Sequence, residues 1–109
     1  MSSFSDALES GDSLVTCELN PPKGTELNSM FEKVHMLESV AHAFNITDSA
    51  GSVMTMAPIA AAHLLRDRGF EPILQITCRD RNRLALQSEM LAAAALGIPN
   101  LLCMTGDPP

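Results

Sequence analysis

Residues 73–105, ILQITCRDRNRLALQSEMLAAAALGIPNLLCMT, hold one complete strand–helix–strand unit. Ile73–Cys78 is strand-length and mixes β-branched with aliphatic residues. Asp80 reads as the N-cap of a helix over Arg81–Leu96, Gly97 ends that helix, and Pro99 forbids its return. Asn100–Thr105 (NLLCMT) reads as the next strand. Two upstream runs repeat the pattern, Leu14–Leu19 (LVTCEL) and Ala43–Thr47 (AFNIT), so the four runs start at residues 14, 43, 73 and 100. A period of about 29 residues is the size of one strand–helix unit, and its repetition implies a parallel sheet with right-handed crossovers.

Helical patterns fill the other gaps. From Glu26 to Ala41, the residues Leu27, Met30, Phe31, Val34, Leu37 and Ala41 share one face, with Glu26, Glu32, Lys33 and Glu38 opposite. A further helix is expected over Thr55–Arg68, with Thr55 as N-cap, Pro58 in the first turn and Gly69 as the stop. Residues 1–13 form a lead-in, and 14–109 carry the repeats.

Two architectures share this element order, a doubly wound open sheet and part of a (β/α)8 barrel. Strands of an open parallel sheet are apolar on both faces, whereas these alternate. Thr16 and Glu18 share one face of the first strand, Asn45 and Thr47 of the second, Gln75 and Thr77 of the third. Val15, Cys17, Phe44, Ile46, Leu74 and Ile76 take the opposite faces and belong under the helices. One polar face in three successive strands suits a barrel interior; Leu101–Met104 is apolar throughout and does not discriminate. The fold expected is therefore α/β, the N-terminal part of a (β/α)8 barrel with about four strands and three helices. Polar residues gather where the strands end: Glu18 and Asn20, Thr47 and Asp48, Thr77 to Asp80, Thr105 to Asp107. That edge carries the chemistry in α/β folds.

Composition narrows the partners. Thirteen Asp and Glu against seven Lys and Arg give a formal charge of −6, which argues against a nucleic acid or an anionic membrane as main partner. Hydrophobic residues make up 46% and charged residues 18%, a globular composition, while aromatics are 4%, so the core is aliphatic. Three cysteines, Cys17, Cys78 and Cys103, without CxxC spacing argue against a disulfide framework or a zinc knuckle and fit a reducing cytoplasm. The opening MSSFSDALESG has no basic or apolar run, so no signal peptide is expected. The stretch Leu91–Ile98 is far too short to span a bilayer.

Individual residues carry competing readings. Glu18, a carboxylate inside an otherwise apolar strand, can act as a general acid if partly desolvated; the alternative is a structural carboxylate paired with Lys23 or a backbone amide. Asp107, between Gly106 and Pro108-Pro109, is either a ligand contact or an ordinary turn residue. Arg79, Arg81 and Arg83 either face a phosphate at a helix N-terminus or pair with Asp80, Glu89 and neighbouring acids. His35, His42 and His63 fall in helical segments, and none reads as a metal ligand. Neither GxGxxG nor GxxxxGK[ST] occurs.

The run Glu18-Leu19-Asn20-Pro21-Pro22-Lys23-Gly24, then Thr77-Cys78-Arg79-Asp80-Arg81-Asn82 with Leu86-Gln87-Ser88, then Leu96-Gly97-Ile98 leading to Thr105-Gly106-Asp107-Pro108-Pro109, occur in this order. Together they resemble the N-terminal part of the methylenetetrahydrofolate reductase family, from Leu14 onward. The resemblance implies a (β/α)8 barrel that binds FAD at the strand ends and passes hydride to methylenetetrahydrofolate, giving methyltetrahydrofolate. NADH or NADPH supplies the hydride in many members. Glu18 matches the family's strand-one glutamate, the general acid that helps open the folate's imidazolidine ring. Asp107 matches the Gly-Asp aspartate near flavin and folate, and Thr47 a strand-two threonine that contacts the flavin. Gln75 stands where well-known bacterial members carry a flavin-contacting histidine; glutamine hydrogen-bonds but does not titrate. The loop Asp48–Thr55 (DSAGSVMT) also departs from the commoner pattern, and in this it is similar to reductases of anaerobic one-carbon pathways, whose donor need not be a nicotinamide.

A barrel of this type takes roughly 250 residues, so 109 residues read as an N-terminal fragment, a truncated product or one piece of a split protein. Half a barrel leaves sheet edges and an inner face open. The chain alone is expected to bind no flavin and to aggregate or dimerise, completed by copies of itself or by a complementing subunit. The competing reading is a non-catalytic barrel segment that holds a pterin or flavin or docks on a partner.

Overall fold

The computed structural model describes residues 3–11 and 13–108. The elements are α1 (Ser3–Ser10), β1 (Thr16–Leu19), α2 (Asn28–Leu37), β2 (Ala43–Ile46), a short 3-10 turn (Ala50–Ser52), α3 (Pro58–Asp67), β3 (Pro72–Thr77), α4 (Arg83–Ala95) and β4 (Leu101–Met104). The four strands are all parallel and lie in the order β1-β2-β3-β4. An order that never reverses sends every right-handed crossover to the same side. A doubly wound sheet needs a reversal to place helices on both faces, so the winding is that of a barrel.

The outer face carries the core. Leu19, Phe44, Ile46, Leu74 and Ile76 pack under Met30, Phe31 and Val34 of α2, Ala61, Ala62 and Leu65 of α3, and Ala93 of α4. Side chains as completely buried as Ile46, Leu65 and Leu74 each contribute roughly 1.5–3 kcal/mol by leaving water. Cys17 packs at the edge of this cluster. Val15 does not join it: the ladder starts at Thr16 opposite Ala43, leaving Val15 outside the strand and exposed.

The segment 1–13 contains a helix that its sequence did not announce. Helix α1 lays Phe4 and Leu8 beside Thr16, Asn45, Ile73 and Leu102 at the N-terminal end of the inner face. The Phe4 N–H donates to Glu71 Oε2 at 2.7 Å. Between α1 and this end of the inner face a cavity of about 440 Å³ remains.

Helix boundaries correct the sequence expectations in three places. Helix α2 starts at Asn28, not Glu26, and the Glu26 carboxylate accepts from the Asn28 N–H at 3.1 Å. Helix α3 starts at Pro58, because a residue preceding proline is pushed out of the helical region; Ala57 sits at φ −56, ψ 129, and Thr55 caps nothing. Helix α4 is capped by Asn82, whose Oδ1 accepts from the Ala85 N–H at 2.9 Å. Asp80 instead receives a hydrogen bond from Arg79 Nε at 2.8 Å. Asn82→Ala is expected to lower stability by about 1 kcal/mol and Asp80→Ala by less than about 0.5, compared by urea unfolding. Equal losses would return the cap to Asp80.

The histidines also differ from expectation in detail. His42 lies before β2 rather than in a helix, and its Nδ1 accepts from the Val15 N–H at 3.0 Å. His63 pairs with Asp67 one turn on, at 3.3 Å, an ordinary i,i+4 contact. Among the described residues no helix is long and apolar enough to cross a membrane.

Candidate functional site

The strand register sets which side chains meet. Glu18 on β1 lies opposite Asn45 on β2, and Gln75 on β3 opposite Leu102 on β4. Alternation along each strand then sends Glu18, Thr47, Gln75, Thr77 and Met104 to the inner face at the C-terminal edge. There they line a cavity of about 180 Å³ with Asp48, Arg79, Gly106 and Asp107. Glu18, Thr47, Gln75 and Asp107, which the sequence singled out separately, share this one wall. Pro109, the last residue of the Thr105–Pro109 motif, lies outside the described residues.

Each side chain is held differently. The Thr47 hydroxyl, buried, donates to Asn20 Oδ1 at 2.7 Å and keeps its lone pairs. Gln75 is 9% exposed, and its carboxamide makes no hydrogen bond among the described residues. Asp107 accepts from the Gly51 N–H on Oδ2 at 2.6 Å. The Glu18 side chain is exposed, against the expected partial burial, because nothing among the described residues stands across the inner face from it. Among the described residues neither Lys23 nor a backbone amide holds it; Lys33 Nζ donates to its main-chain carbonyl at 3.0 Å.

Behind this wall lies an ion pair that the sequence left open. Asp48 Oδ2 accepts from Arg81 Nη1 and from the Thr77 N–H at 2.9 Å and hydroxyl at 3.1 Å. Arg81 also donates to the Thr77 carbonyl at 2.9 Å. Burial raises the Asp48 pKa, but the hydrogen bonds from Arg81 and Thr77 and the guanidinium charge outweigh it, so the carboxyl sits below its ordinary value. Arg79 is likewise committed to protein groups, bonding Asp80 and the carbonyls of Ser49 and Asp107. Of the two readings of the arginine cluster, Arg79 and Arg81 thus follow pairing rather than phosphate binding. Sequence gives one signal for this network, the acid Asp48 directly after Thr47 at a strand end.

Residues 3–109 match the family model described as methylenetetrahydrofolate reductase. The chain belongs to the methylenetetrahydrofolate reductase family. The match spans the repeats and the strand-end motifs together, so the barrel winding and the family agree. A comparison with curated proteins finds no match. Within a family of folate-related reductases, the wall formed by Glu18, Thr47, Gln75 and Asp107 is the natural candidate site.

Proposed function

We propose that the chain supplies part of the active site of a flavin-dependent reductase that converts 5,10-methylenetetrahydrofolate to 5-methyltetrahydrofolate. FAD is the flavin, and NADH or NADPH is a source of hydride. The observation that carries this reading is the Gln75 carboxamide. It lines the strand-end cavity, nearly buried and without a hydrogen-bond partner among the described residues. Its amide oxygen and nitrogen are not sealed off from solvent, so both stay open to the cavity and can bond a ligand that enters it.

These residues fit the edge of a flat heteroaromatic ring. Gln75 offers a donor and an acceptor in one plane, Thr47 offers the lone pairs left after its bond to Asn20, and Asp107 offers Oδ1. The cavity, at about 180 Å³, is smaller than the ~300–1,000 Å³ of a site that encloses a small molecule. The residues on this wall therefore contact one edge of a ligand rather than surround it.

The chemistry asked of the chain follows from the donor set. A bound reduced flavin supplies hydride. Glu18 delivers a proton to a nitrogen of the folate's imidazolidine ring, which opens to an electrophilic iminium. Asp107 sets a carboxylate beside the cation that develops. Thr47 and Gln75 orient the ring that they touch.

The test uses the intact protein. Under anaerobic conditions its reduced flavin should be reoxidised by methylenetetrahydrofolate, with methyltetrahydrofolate as product; a protein that binds no flavin, or whose flavin the folate leaves reduced, refutes the proposal. Gln75→Leu is expected to weaken flavin binding roughly 5–10-fold in a fluorescence titration, the loss of about one hydrogen bond. An unchanged affinity would remove Gln75 from the flavin contact.

A further inference from the structure

The turn after β2 holds two non-glycine residues in the left-handed region, Ser49 at φ 47 and Ser52 at φ 61, around Gly51 at φ 66. Such backbone persists only where its surroundings over-determine it. Within the turn, the Ser52 N–H donates to the Ser49 carbonyl at 3.1 Å and the Thr55 N–H to Ser49 Oγ at 3.3 Å; from other strand ends come one arginine and one aspartate. Arg79 Nη2 donates to the Ser49 carbonyl at 3.2 Å, and Nη1 to the Asp107 carbonyl at 3.2 Å. Its Nε donates to Asp80 at 2.8 Å, so the whole fork is engaged. The side chain is 9% exposed. Its stem runs under Gly106, where an added Cβ would come within 3.1 Å of Arg79 Cβ and of Thr77 Cβ.

We propose that Arg79 is a positioning residue for Asp107: by spanning the Ser49 and Asp107 carbonyls it holds the Gly51 N–H against Asp107 Oδ2 and leaves Oδ1 for the ligand. The proposal rests on the reading of Asp107 as a ligand-facing acid. Lysine cannot replace arginine in this role, because a single ammonium lacks the planar fork that reaches two carbonyls and a carboxylate at once. The device ties the Asp48–Thr55 loop, where the sequence departs from the commoner family pattern, directly to the acid at the end of β4. The charged groups that share the cavity with Asp107 are Glu18 from β1, Asp48 from the end of β2, and Arg79 itself.

The Gly51 amide reports on this arrangement without any reaction. In the intact protein, with glycine selectively labelled with nitrogen-15, the Gly51 amide proton should resonate downfield and follow the protonation of Asp107. Asp107→Asn should abolish that titration. Arg79→Met and Arg79→Lys should each lose the downfield position while circular dichroism stays unchanged. In folate reduction, Arg79→Met should cost at least 5-fold in kcat, and less than 2-fold when added to Asp107→Asn, since a residue acting through another shows strong coupling with it. A wild-type Gly51 amide that ignores Asp107, a titration that survives in either Arg79 variant, or additive kinetic losses would each overturn the proposal. If Arg79→Met does not fold, Arg79→Lys and the wild-type titration decide. Failure of the folate reading alone looks different: methylenetetrahydrofolate would leave the reduced flavin of the intact protein unoxidised while the Gly51 resonance behaves as described.

Discussion

Glu18→Gln in the intact protein is expected to lower folate reduction by about 10²–10⁴-fold, the range that a positioned general acid supplies, while flavin affinity changes by less than about twofold. Glutamine preserves the size and hydrogen-bonding capacity of the side chain but has no proton to give. The backbone consequence should be small, because what anchors this strand end is the Glu18 carbonyl, held by Lys33, and the burial of neighbouring Leu19 in the core. Among the described residues the exposed side chain has no hydrogen-bond or ion-pair partner whose loss would disturb the fold. The measurement is the folate half-reaction by anaerobic stopped flow, with the flavin spectrum and its titration as controls. Loss of flavin binding together with activity would make Glu18 a cofactor contact instead. Unaltered folate reduction would take the acid role from Glu18 and favour a barrel segment that binds without catalysing.

The barrel winding was legible because alternation in a strand has a strict period of two, and Glu18, Asn45, Thr47, Gln75 and Thr77 all fall on its polar phase. The same alternation, with the rule that strand C-termini carry the chemistry, brought Glu18, Thr47, Gln75 and Asp107 to one cavity. Local competition blurred the helix starts. Asp80 and Asn82 are both good cap residues two positions apart, and the choice falls to Asn82 because Asp80 is taken by Arg79. Helix α1 was hidden because its apolar residues, Phe4 and Leu8, are few and find their partners on distant strands. The arginine cluster stayed ambiguous for a topological reason. Arg81 meets Asp48 from 33 residues away, and that meeting exists only once β2 and β3 are neighbours. The exposure of Glu18 does not show in the apolar strand around it; it goes with the open inner face that a partial barrel implies.

Asp48→Ala is expected to lower stability by about 3 kcal/mol, the lower end of the 3–5 kcal/mol for breaking a buried ion pair from one side. The lower end applies because Arg81 keeps 16% of its side chain in water, against 8% for Asp48. Three donors lose their acceptor at once: the Arg81 guanidinium, the Thr77 N–H and the Thr77 hydroxyl. Removing both charged partners is a different perturbation. Asp48→Ala with Arg81→Met leaves no uncompensated cation, so the double variant should cost less than the sum of the single ones. Urea unfolding with unchanged m-values reads all three. The acid side gives an independent check. Because the folded carboxyl lies below its ordinary value of 3.8, its contribution is complete above that pH and is lost as pH falls through the lowered folded value. Wild type should therefore lose stability below about pH 4 more steeply than Asp48→Ala. Parallel acid profiles, or additive losses in the double variant, would show that the pair does not hold the ends of β2 and β3 together. In that case the cavity wall built on Thr47, Gln75 and Thr77 would owe its shape to the outer-face packing alone.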